Sequence, residues 1–60
     1  MLKLESSCLA KYNDGVWYEG VVVEVPTNDK QDYQVMFEEY EETITVGVVD
    51  IIPWGKAVIV

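Results

Sequence analysis

Tyr12, Tyr18, Phe37 and Tyr40 are the side chains best placed to do chemistry. Each falls at the end of an apolar segment or in the turn beside it, and Tyr40 sits inside a carboxylate run of Glu38, Glu39, Glu41 and Glu42. The chemistry open to such rings is recognition. A ring face is electron-rich and attracts a cation lying within about 6 Å of its centroid. Groups that make and break bonds are scarce. The chain has no His and a single Cys, so neither a zinc set nor a Cys–His pair can be assembled. No Gly-x-x-x-x-Gly-Lys phosphate loop occurs. Carboxylates on exposed turns lack the burial that tunes a general acid, so an enzyme is not expected, and neither is a cofactor or a metal. Cys8 reads as a small buried hydrophobe, and Asp14-Gly15 as a turn.

Charge narrows the partner. Four Lys against eleven Asp and Glu give a net charge of −7. Nucleic-acid binding rests on cations that neutralise phosphates, so no direct nucleic-acid contact is expected. A base-stacking barrel of the OB or KOW kind would need a basic groove as well as its rings. A cationic partner fits better. A single Cys gives no disulfide framework, which points to a reducing compartment. Neither a membrane-spanning run nor the apolar core of a secretory leader is present.

The elements that must position the rings are strands. Sixty residues allow one domain, 1–60, with a small core, because a chain of that size buries only about 60% of its unfolded surface. Residues 16–25 and 43–52 are rich in Val, Ile, Thr and aromatics, which suit a pleated surface. Asn13-Asp14-Gly15, Pro26 to Lys30 and Glu38 to Glu42 read as turns. Strands are therefore expected at 7–12, 16–25, 31–37, 42–46 and 51–53, with a single helical turn near Val48 to Ile51. Five short strands in so small a chain predict an all-β, antiparallel barrel over about 7–53. Alternation puts Cys8, Ala10 and Tyr12 on one face, with Tyr18, Gly20 and Val22, then Tyr33, Val35 and Phe37. Tyr33 is expected in the core or the barrel wall. If the ends of the first and third strands share a rim, the other four rings surround one mouth.

The pattern Cys8-x-Ala10-x-Tyr12, Asp14-Gly15-x-Trp17-Tyr18-x-Gly20-x-Val22, Tyr33-x-Val35-x-Phe37-x-x-Tyr40 and Asp50-Ile51-x-Pro53 resembles the Tudor family. It is similar to the single Tudor domains of the survival-motor-neuron and splicing-factor type. The resemblance implies a five-stranded SH3-like barrel that reads methylated arginine or methylated lysine in basic peptide tails through an aromatic cage. Carried over by position, the cage is Tyr12, Tyr18, Phe37 and Tyr40, open to solvent, with arginine favoured. Glu42 stands where the arginine-reading members have Asn, and either joins the ligand-binding set as an acceptor of N–H or only braces the turn by hydrogen bonds. Glu41 replaces the family's Gly after the last cage Tyr. By the same analogy the chain is a monomer of the nucleus or cytoplasm, with roles in RNA processing or chromatin. The alternative is an SH3-like structural or protein-interaction domain whose cage does not function.

Two apolar features lie outside the family pattern. The outer face of the second strand carries Trp17, Val21 and Val23, and residues 54–60 form an apolar extension. The extension is expected to fold back over that face.

Overall fold

The computed structural model describes residues 2–54. Five strands are present: β1 (Ser7–Lys11), β2 (Trp17–Glu24), β3 (Tyr33–Phe37), β4 (Glu42–Val46) and β5 (Ile51–Pro53). A one-turn 3-10 helix, Val48–Asp50, links β4 to β5. The strands form one antiparallel sheet in the order β4-β3-β2-β1-β5, which leaves β4 and β5 as its two ends. The all-β, five-stranded architecture expected from the sequence is present, with boundaries within one or two residues at most ends.

Alternation holds across the sheet. Cys8, Ala10, Val22, Val35 and Phe37 are fully buried; Tyr33, Val46 and Ile51 are nearly so. All of these lie on one side. Among the described residues no second sheet or long helix covers that side, so the sheet curls around its own core, as a small barrel does. Leu2, to which the sequence pattern gives no role, joins the core from ahead of β1. Its segment is tied in by the Glu5 N–H, which donates to the Val22 carbonyl, and by the Val22 N–H, which donates to the Ser6 carbonyl.

Three local features set the frame. The β1–β2 loop closes through the Tyr12 N–H to the Val16 carbonyl and the Gly15 N–H to the Tyr12 carbonyl, with Gly15 at φ 81°. This is a three-residue hairpin loop whose last position takes the left-handed conformation, the reason a Gly ends it. Gly20, opposite Phe37 and Cys8, lets β2 and β3 approach closely: a Cβ there would lie 2.6 Å from Val35 Cγ1 and 2.9 Å from the Met36 carbonyl oxygen. Between Val22 and Glu24 the β2–β3 register slips by one residue. Such a bulge bends the strand, and Val23 is its extra residue.

The outer face of β2 is as apolar as its sequence indicated: Trp17 and Val23 are exposed and Val21 is half-buried. The extension expected to cover it begins at Trp54, whose N–H donates to the Ser7 carbonyl. Residues 55–60 lie outside the described part of the chain.

Candidate functional site: an aromatic cluster at one end of the sheet

Three separate segments deliver the rings. Tyr12 leaves the end of β1, Tyr18 enters at the start of β2, and Phe37 ends β3. Tyr40 rides on the β3–β4 turn, whose Tyr40 N–H donates to the Phe37 carbonyl. The hairpin puts Tyr12 and Tyr18 side by side. The meander returns Phe37 to the same end, because it pairs with Gly20, two residues beyond Tyr18. The four rings meet as the sequence predicts. Tyr12 is the hub, with centroids 5.8 Å from Tyr18, 5.2 Å from Phe37 and 4.3 Å from Tyr40. Tyr18 and Tyr40 are 5.2 Å apart at right angles. Burial grades outward. Phe37 is fully buried, Tyr12 and Tyr18 are half-buried, and Tyr40 is 41% exposed.

The open box expected from the family pattern needs a correction. Tyr12 and Tyr40 are stacked face to face, 12° from parallel at 4.3 Å. A guest between two rings needs them about 7 Å apart, two carbon–carbon contacts of ~3.5 Å each. The physical reason for closure is that each ring removes an apolar face from water by covering the other. Such a pair is worth ~0.5–1.5 kcal/mol beyond the area buried. Three rings around a cation offer ~0.5–2 kcal/mol each, so displacing one stack is affordable on energy grounds. Tyr40 is the ring able to move, being the most exposed and carried on a turn.

Carboxylates hold the other two tyrosines. The Tyr12 hydroxyl donates to Glu42 Oε1 at 2.5 Å, and the Tyr18 hydroxyl donates to Asp14 Oδ2 at 2.8 Å. The hydrogen bond to Glu42 is the main cause that pushes the Tyr12 phenol up to about 12 from its usual 10; partial burial and the nearby negative charge add to it. The Tyr18 phenol is likewise raised, by the neighbouring Tyr40 hydroxyl first and by its hydrogen bond to Asp14 second. Both phenols therefore stay protonated and donate to the carboxylates. Glu42 and Asp14 are themselves exposed.

Sequence reasoning missed Asp14 as a site residue and read it as part of a turn. It is both. Asp14 Oδ1 accepts from the Val16 N–H at 2.9 Å, which builds the turn, and Oδ2 reaches Tyr18. The available signal was its place across a tight hairpin from a strand-opening Tyr. Glu41, standing where the family pattern has Gly, adopts φ 52°, so the turn keeps the left-handed conformation without the residue that favours it. Cys8 is buried as expected, and burial raises its thiol pKa. Among the described residues no group of His, Cys, Asp and Glu could hold a metal, and no helix is long and apolar enough to cross a membrane.

No family model matches the chain. It is 32% identical over 54 residues to a zinc finger CCCH-type with G patch domain-containing protein of Nematostella vectensis, covering 90% of this chain and 10% of that protein. With one Cys and no His, this chain does not carry the CCCH set of that name. It is 39% identical over 46 residues to human Tudor domain-containing protein 6, covering 77% of this chain and 2% of that protein. The chain thus spans a small fraction of either relative. Sequence similarity to a segment of a Tudor domain-containing protein, five strands in one antiparallel sheet and a cluster of four rings at one end together describe a Tudor-like interaction module.

Proposed function

We propose that this chain is a binding module, not an enzyme, and that it takes a methylated arginine or methylated lysine of a basic peptide into the cluster of Tyr12, Tyr18, Phe37 and Tyr40. The observation that carries the reading is the convergence of four rings from three segments with carboxylates on two of their hydroxyls. Methylation leaves a cation's charge and enlarges its apolar surface. The methylated group therefore sheds its water more readily than the bare one and gains more from ring faces. In this reading the guest replaces the Tyr12–Tyr40 stack, with Tyr40 swinging outward and closing again on the cation. Affinity is weak, roughly micromolar to millimolar, because one side chain and little else is gripped, and because opening the stack subtracts from it.

Arginine is favoured by the resemblance to the splicing-factor type of Tudor domain, and nuclear or cytoplasmic work on RNA-processing or chromatin proteins follows from the same analogy. The test is calorimetric titration with a short Arg-Gly-rich peptide, unmodified or bearing dimethyl-arginine. The methylated peptide is expected to bind at least several-fold more tightly, and Tyr12→Ala is expected to abolish the difference. Equal affinity for both peptides would leave an SH3-like interaction domain with a non-functional cluster.

A further inference from the structure

The outer face of the sheet, on the far side from the core, is apolar and takes no part in the ring cluster. Cross-strand partners share a side, so the register lays its residues out in rows. Trp54 follows Pro53, the partner of Cys8, and its N–H donates to the Ser7 carbonyl; Ser7 pairs with Val21, and Val21 with Met36. The next row holds Ile52 and Leu9. Val23, the extra residue of the bulge, extends the patch. Val23 is 40% exposed, Ile52 and Trp54 are 47% exposed, and Leu9, Val21 and Met36 are half-buried. Contiguous apolar surface of this kind marks a place where something docks. Ser7, a small residue between Trp54 and Val21, makes a low point in the first row.

We propose that the occupant of this face is the chain's own segment 55–60, which turns at Gly55 and lays Ala57-Val58-Ile59-Val60 across Ser7, Val21 and Met36. The starting point is fixed, because the Trp54 N–H bond to Ser7 delivers the backbone to the end of that row. The length suffices. From β5 to β3 there are three strand spacings, or ~14 Å at about 4.8 Å each. Residues 55–60, when extended, reach ~20 Å. Gly55 admits the backbone conformations that a sharp turn needs. The chemistry fits as well. The segment is apolar from Ala57 onward and carries Lys56 and no acid, whereas Glu19 borders Leu9 on the face. Its Val and Ile residues suit an extended run. A second copy would instead bring a net charge of −7 against another −7, which disfavours self-association as the way to cover the patch. The outer face then has a task separate from the ring cluster, and keeps it whether or not a methylated cation binds there.

The test is NMR of the isotopically labelled sixty-residue chain, read as nuclear Overhauser effects from the methyl groups of Val58, Ile59 and Val60 to the side chains of Val21 and Met36. Such contacts are expected in a dilute sample. In the Val58→Asp, Ile59→Asp double variant the remaining contacts of Val60 are expected to be lost. The amide signals of Ser7, Val21 and Met36 should then move, while those of Tyr12 and Tyr40, at the ring cluster, stay in place. Dispersed amide spectra confirm that the variant is folded. Absence of contacts between segment and face in the unsubstituted chain overturns the proposal and leaves the face to a foreign partner. Contacts found only between labelled and unlabelled molecules of a mixed sample overturn it in favour of a second copy. Val21 and Met36 amide signals that do not move in the double variant overturn it too.

Discussion

Asp14 and Glu42 each hold one ring of the cluster by its hydroxyl, and the Glu42 contact can be measured. The Tyr12 phenol, held up at about 12 chiefly by its bond to Glu42, should ionise well after a free tyrosine in an ultraviolet titration, and Glu42→Gln should bring it down. The sign follows from linkage. A phenol whose folded pKa lies above its unfolded value near 10 favours the folded state fully below pH ~10, and that contribution fades as pH rises toward about 12. A titration with every tyrosine ionising near 10 would show that the carboxylate contact is not made in solution. Glu41 offers a second measurement. At φ 52° it bears the left-handed strain that a Gly in its place would relieve, so Glu41→Gly should raise unfolding stability by about 1 kcal/mol in urea. An unchanged or lowered midpoint would mean that the turn is not left-handed there. The position of Glu41 was marked by the Gly it replaces in the family pattern, whereas the side-chain contacts were not legible in the residues. The Asp14–Tyr18 bond and the Tyr12–Tyr40 stack depend on side-chain torsions, which carry no periodic signal along the chain.

At the level of strands and turns the sequence was far more transparent. Side chains alternate strictly along a strand, so Cys8, Ala10, Val22 and Val35 could be placed on the inner face from the residues alone, and all are fully buried; Phe37, expected as a ring of an open cage, is fully buried too, because it pairs with Gly20 inside the sheet. The Asn13-Asp14-Gly15 turn and the helical turn at Val48–Asp50 were readable from turn chemistry and from a break in the strand pattern. The slip at Val22/Glu24 was not, because an inserted residue in an unbroken Val run leaves no mark on composition. Leu2 was hidden for a different reason: it precedes the strands and obeys no period. Gly20 is the element on which the site's frame depends most. Gly20→Ala should cost about 1–3 kcal/mol, since its new methyl meets Val35 and the Met36 carbonyl inside contact distance, and β2 must then move away from β3 and Phe37. Phe37 itself belongs to the core as much as to the cluster. Phe37→Ala should lose about 3–5 kcal/mol in denaturant unfolding, whereas Tyr40→Ala, on an exposed turn, should leave the midpoint within about 1 kcal/mol. Similar losses for the two would contradict the graded burial of the rings.

For the molecule as a whole, the net charge of −7 acts over distances that the rings do not. Glu38, Glu39, Glu41 and Glu42 surround Tyr40 in sequence, and their field raises the local concentration of a basic peptide. Affinity for such a peptide should therefore fall several-fold as salt rises from about 0.01 to 1 M, over which the screening length contracts from ~30 to ~3 Å. The preference for the methylated form, which comes from contact with the rings, should survive the same change. A salt-insensitive affinity would remove the acidic turn from the account. In the proposed reading Tyr40 swings off Tyr12 and closes on the methyl groups of a cation. Proton NMR of the N-methyl resonances of a dimethyl-arginine peptide reads this directly, because protons above aromatic faces move upfield by ring currents. An upfield displacement is expected on adding the chain, lost with Tyr12→Ala and with Tyr40→Ala. Methyl resonances that stay in place while the peptide binds would contradict it.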